Sequence, residues 1–168
     1  YEIDISKFTD NVSNIYGGYN AGTGGAYSND VTISGNSKVS GHVSGGEATK
    51  AGDVYGNKVT IKEGTFNDNP GLFALYGGRA LVGNATGNKV EIEDGTFLGM
   101  VNGGLAEAAG NGNASYNEVT IKSGDIQSWL SAGLAVGNGD AIGNKLNIAG
   151  GTFRRLAYAG EVRGAGTA

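Results

Sequence analysis

The chain has 168 residues, a net charge of −4 and a pI near 4.9, a balance that gives no general attraction to nucleic acid or to an anionic membrane. Glycine supplies 33 residues and proline one, without the strict third-residue period of collagen, and 17% charged residues are too few for charge-driven disorder. Cysteine is absent, which excludes disulfides and thiolate metal sites, and no apolar run reaches the roughly 18 residues of a membrane-spanning helix.

In chain order the first landmark is Ile15-Tyr16-Gly17-Gly18, an apolar residue two places ahead of a small pair. The pair returns at Gly45-Gly46, Gly77-Gly78, Gly103-Gly104, Ala132-Gly133 and Ala159-Gly160. A block of about ten residues alternates with it. A loose copy, NDVTISGNSKV, starts at Asn29, and NKVTIKEGTF follows at Asn57–Phe66. NKVEIEDGTF spans Asn88–Phe97, NEVTIKSGDI spans Asn117–Ile126 and NKLNIAGGTF spans Asn144–Phe153. The leading asparagines are 28, 31, 29 and 27 residues apart, and self-similarity at that period marks a repeat architecture.

Within each block Val59 and Ile61, and their equivalents, alternate with polar residues, as expected of a half-buried strand. Gly64-Thr65 predicts a corner, after which Phe66 points back inward. Two places before each small pair lies a second apolar column, Ile15, Val43, Leu75, Val101, Leu130 and Ala157. Two places after it lies a third, Ala48, Ala80, Ala106, Ala135 and Val162. Each turn therefore holds two or three short strands separated by glycine corners. Helical repeats are a poor match, because glycine this dense costs about 1 kcal/mol at each helical site. The closed solution is a parallel β-helix of about 28 residues per turn, with successive turns about 4.8 Å apart. Residues 1–168 form one segment of five to six turns, with repeats starting near residues 29, 57, 88, 117 and 144, and read as a piece of a longer array. Asn29, Asn57, Asn88, Asn117 and Asn144 share the parity of the inward residues, so they are expected to form a buried ladder of stacked amides.

The pairing of GNKVTIKEGTF with a following LYGGRA (Gly56–Ala80), and of GNKVEIEDGTF with VNGGLA (Gly87–Ala106), resembles the repeats of bacterial autotransporter passenger domains. GNKLNIAGGTF (Gly143–Phe153) repeats the first half. That resemblance implies a right-handed parallel β-helix secreted to the bacterial cell surface by a C-terminal β-barrel. It implies adhesion, virulence and contact with host cells, glycans or other bacteria. It brings no catalytic motif.

Candidate chemistry is sparse. A Ser-His-Asp site would need the single histidine, His42, with Ser40 or Ser44 and Asp53, yet no nucleophile elbow surrounds it. Glu63 and Asp94 stack one turn apart, a spacing that would suit a retaining glycosidase, although corners are where solvated charges normally sit. GNGDAIGN (Gly137–Asn144) has a single, broken likeness to a calcium-binding repeat. The basic set Arg154, Arg155 and Arg163 reads as solvated, and the sequons at Asn11, Asn84 and Asn113 as incidental in a bacterial context. The residue before each small pair is expected to face outward, which makes Tyr16, Tyr76 and Tyr158 the expected binding edge, with Tyr19 and Trp129 nearby. The expectation is thus a non-enzymatic structural and adhesive segment with no catalytic residues, metal or cofactor. Its partner is a surface protein or glycan, not nucleic acid, with no membrane insertion and with end-to-end self-association open. The rival readings are a carbohydrate-active β-helix enzyme and a self-associating solenoid.

Overall fold

The computed structural model describes residues 2–4, 12–35, 38–66, 74–107 and 111–168. Among them there is no helix, and four sheets run along the molecule as a β-solenoid of about five turns. Every pairing between neighbouring turns is parallel, as in the step from Lys89–Ile92 to Glu118–Ile121, where Val90 faces Val119 and Ile92 faces Ile121.

In the order a turn meets them, the first sheet stacks Glu2–Asp4, Asp30–Ser34, Lys58–Ile61, Lys89–Ile92, Glu118–Ile121 and Lys145–Ile148. The second stacks the two-residue strands Lys38–Val39, Thr65–Phe66, Thr96–Phe97, Asp125–Ile126 and Thr152–Phe153. The third carries the small pairs: Ile15–Asn20, Val43–Ala48, Ala74–Ala80, Met100–Ala106, Leu130–Ala135 and Ala157–Val162. The fourth stacks Ala26–Tyr27, Val54–Tyr55, Ala85–Thr86 and Ala114–Ser115. A turn thus has four extended segments where two or three were expected. Two-residue strands are too short to show an alternation in the sequence, but the ladder from one turn to the next still pairs their backbones.

The corner between the first and second sheets is turned at Gly95, whose φ of +134° is closed to side-chain-bearing residues, and Gly64, Gly124 and Gly151 repeat it. The core lies inside the coil. Val31, Ile33, Val59, Ile61, Ile92, Val119 and Ile121 are fully buried, and so are Val43, Leu75 and Val101 across from them. Phe66 and Phe97 stack with ring centroids 4.8 Å apart and planes within 2°. The alanine column Ala48, Ala80, Ala106 and Ala135 is also sealed, and only a small side chain is present where the third sheet nears the fourth. The columns open in the last turn. Leu146 and Phe153 are only partly buried and Ile148 is 46% exposed, because no further described turn covers them.

Candidate functional site

The conspicuous polar feature of the interior is the asparagine column. Asn57, Asn88 and Asn117 are wholly buried, and Asn29 and Asn144 at its ends are partly so. Each Nδ2 donates to the Oδ1 of the next turn: Asn29 to Asn57 at 2.7 Å, Asn57 to Asn88 at 2.9 Å, Asn88 to Asn117 at 3.1 Å and Asn117 to Asn144 at 3.1 Å. The second hydrogen of Nδ2 goes to a fourth-sheet carbonyl, from Asn57 to Ala26 at 3.0 Å and from Asn88 to Val54 at 3.1 Å. Each Oδ1 also accepts a backbone N–H, as in Asn57 to Asn88 at 3.1 Å. All four hydrogen-bonding positions of Asn88 are filled, so its burial carries no unsatisfied polar group.

The small pairs follow from this ladder. A Cβ built on Gly46 would lie 2.6 Å from the Asn57 amide, and one on Gly78 2.5 Å from that of Asn88. Gly104 and Gly133 press on Asn117 and Asn144 in the same way. The amide planes lie flat against the third-sheet backbone, and only glycine leaves room for them.

A second ladder runs four residues ahead of the first. Asp53 Oδ1 accepts from Asn84 N at 2.8 Å and from Asn84 Nδ2 at 3.1 Å. Asn84 Oδ1 accepts from Asn113 N at 2.9 Å, Asn113 Oδ1 from Asp140 N at 2.8 Å and Asp140 Oδ1 from Thr167 N at 2.8 Å. The sequence reading missed it, although its signal, Gly-Asp or Gly-Asn at Gly52-Asp53, Gly83-Asn84, Gly112-Asn113 and Gly139-Asp140, recurs in four turns. It accounts for the GNGDAIGN segment and for the sequons at Asn84 and Asn113 as structural positions. Asn11 lies outside the described residues.

The expected tyrosine edge needs correction. Tyr76 is 4% exposed, packed with Ala74, Leu105 and Leu134, with the Arg79 guanidinium 5.6 Å from its ring centroid. Burial pushes its phenol up to about 12. Tyr16 is half-buried against Tyr19 and Tyr158 is half-buried, so these three do not form one exposed strip. The outer face of the third sheet is closed at Tyr76 because apolar and charged neighbours fill it. Arg79 bridges Glu47 at 3.0 Å and Glu107 at 2.6 Å, and Glu47, 3% exposed, is pushed up by burial while Arg79 opposes the shift. Tyr19, 56% exposed, is on the third sheet, and the other exposed tyrosines sit by the fourth. Tyr27 and Tyr55, 55% and 46% exposed, stack at 4.9 Å with planes within 8°. Tyr116 is exposed with φ of +58°, at a position that Gly56, Gly87 and Gly143 occupy in other turns.

Of the candidate catalytic groups, His42, Ser40, Ser44, Asp53 and Asp94 are engaged elsewhere. His42 Nδ1 accepts from Ala74 N at 3.2 Å, and burial, then Arg79, lowers its pKa. Ser44 Oγ donates to Gly46 O at 2.8 Å and Ser40 Oγ to Val12 O at 3.3 Å, so neither hydroxyl is bonded to His42. Glu63, Asp94, Ser123 and Asp125 line an open cleft of about 490 Å³ along the glycine corner. Asp94 accepts from Gly95 N at 2.8 Å. Asp125 accepts from Arg154 at 3.1 Å and Gln127 at 2.7 Å, and the Arg154 bond holds its carboxyl below the usual range. A general acid needs the opposite shift. Among the described residues no three His, Cys, Asp or Glu side chains are grouped to hold a metal.

On the outside of the first sheet, lysines and glutamates interdigitate. Glu91 meets Lys58 at 3.3 Å and Lys122 at 2.7 Å, and Glu118 meets Lys89 at 3.5 Å and Lys145 at 3.6 Å. The stacked pair Lys58 and Lys89 is thereby separated by opposite charge. Lys122 also reaches Glu93 at 3.4 Å.

No family model matches the chain, and neither a curated protein nor a solved structure is significantly similar to it.

Proposed function

We propose that this solenoid is a structural and adhesive segment of a secreted bacterial cell-surface protein of the autotransporter kind. It acts as a stiff rod that spaces or presents contact surfaces to host cells, glycans or other bacteria. The observation that carries the reading is the continuity of the columns. Two polar ladders, the apolar core and the outer Lys–Glu rows run from turn to turn, and Asp94 and Asp125 of the corner cleft are spent on backbone and arginine partners. A rod built this way is stiff along its axis, since each turn is bonded to the next on several sides. Exposed aromatic residues such as Tyr27 and Tyr55 supply contact area at low entropic cost.

The test is display. Bacteria carrying this segment on an outer-membrane anchor are expected to adhere to epithelial cells or to one another more than bacteria carrying the anchor alone. Equal adhesion, or turnover of any polysaccharide by the purified chain, would replace the adhesive reading with the enzymatic one or with a pure spacer.

A further inference from the structure

At the mouth of the third sheet, in the last two turns, the side chains depart from the repeat. The column at the start of that sheet reads His42, Ala74, Met100, Trp129 and Leu156 in successive turns. Trp129 is the only tryptophan of the chain and is 42% exposed. Two guanidinium groups, those of Arg155 and Arg163, each lie over its ring, 5.8 Å from the centroid. Their charges are not equivalent. Arg163 is held by Glu161 at 2.7 Å, and neighbouring Arg154 by Asp125 at 3.1 Å. Arg155 makes no ion pair among the described residues, which leaves one unneutralised cation beside an exposed indole.

These two side chains, with Leu98, Gln127 and Ser128, line a cleft of about 320 Å³. Arg163 is outside the cleft lining. Gln127 spends its Nε2 on Asp125 at 2.7 Å, which leaves its carbonyl oxygen available as an acceptor, and Ser128 adds a hydroxyl to the lining. The set is an aromatic plane, a planar fork of charged donors, and neutral acceptor and hydroxyl groups. The volume falls at the low end of small-molecule sites, about 300 Å³ and above. A flat indole packs against the apolar face of a sugar ring. A guanidinium matches a carboxylate with two parallel hydrogen bonds. The neutral groups meet hydroxyls.

We infer that the Trp129–Arg155 cleft binds an acidic sugar, a uronic acid residue within a glycan, with the sugar ring against the exposed part of the indole and the carboxylate on Arg155. An acidic peptide would satisfy Arg155 but leave the indole face and the neutral groups without hydroxyl partners. The chain as a whole is acidic, so a polyanion is drawn here by local charge and not by the field of the whole rod. The site adds a ligand class to the adhesive reading. A binding assay on the purified chain tests it apart from cell adhesion, so either can fail without the other.

Because Trp129 is the sole tryptophan, its fluorescence reports the cleft directly. The 168-residue chain is titrated with trigalacturonate, with its neutral methyl ester and with triglutamate. A saturable fluorescence change is expected with trigalacturonate, weaker by about tenfold for the ester, and weaker again for the peptide. By calorimetry, Arg155→Gln should weaken trigalacturonate binding about tenfold and Trp129→Ala should abolish it. Circular dichroism checks that both variants keep their strands. Absence of a saturable change, an ester that binds equally, or a peptide that binds more tightly would each overturn the assignment.

Discussion

Asn88 shows how much one side chain can decide. Its carboxamide fills four hydrogen bonds in the dry interior, so Asn88→Ala strands the amide of Asn57 and the carbonyl of Val54 as well as emptying its own place. A loss of about 1–3 kcal/mol is expected, read from urea unfolding. Gly78→Ala drives a methyl group to within 2.5 Å of the same amide and should cost at least as much. Gly87→Ala meets nothing within 4 Å and should cost only the left-handed backbone term, about 1–2 kcal/mol. Equal losses at the two glycines would mean that the amide plane is not what excludes a side chain. Tyr76 gives a pH signature. Its folded value is raised to about 12 from an ordinary 10, so its contribution is complete below pH 10 and is lost as pH rises towards 12. Tyr76→Phe should flatten the fall in stability across that window. An unchanged slope would place the phenol in water.

At the scale of the strand, the inner and outer faces contribute very differently. Phe97 stacks on Phe66 inside the coil and is fully buried, so Phe97→Ala is expected to cost about 3–5 kcal/mol. Glu91 joins two lysines on the outside, yet exposed ion pairs are screened, and Glu91→Gln should cost no more than about 1 kcal/mol. The sign of its pH dependence is fixed. The hydrogen bond from Lys122 leads in lowering the Glu91 carboxyl, so the stabilisation is present above the ordinary glutamate value and is lost as pH falls through the lowered one. Melting in high salt should erase the difference between Glu91→Gln and the parent. A difference that survives high salt would show packing, not charge, at that position.

For the whole molecule, the turn is the unit of stability, because each turn touches only its neighbours. Removing residues 88–116 joins Gly87 to Asn117 and leaves every column in register, since Val59 and Val119 occupy the same position on either side of Val90. That deletion is expected to fold, with the strand signal retained and a smaller urea dependence that reflects one turn less of buried surface. Removing residues 88–101 joins Gly87 to Asn102 and puts the small pair Gly103-Gly104 where Lys89 and the core residue Val90 belong, which throws the first sheet out of register and should abolish cooperative unfolding. If both deletions unfold alike, the chain is one indivisible unit and not a stack.

The repeat period, the inward Val and Ile columns and the all-β parallel architecture could be read from the sequence alone. They depend on alternation and recurrence, which are properties of position along the chain. The shared parity of the asparagines with the core residues could be read in the same way. What the tertiary structure decided depends on contacts across the coil. The need for glycine at Gly46, Gly78 and Gly104 arises where one sheet lies flat on amides contributed by another part of the turn. The burial of Tyr76 cannot be inferred from its parity, because an outward side chain is exposed only if nothing else packs over its face. The second ladder was visible as a recurring Gly-Asp or Gly-Asn, but its role needed the turn-to-turn hydrogen bonds. Trp129 and Arg155 are 26 residues apart in sequence, in different turns of an irregular stretch, and only the stacking of one turn on the next brings the indole and the guanidinium together.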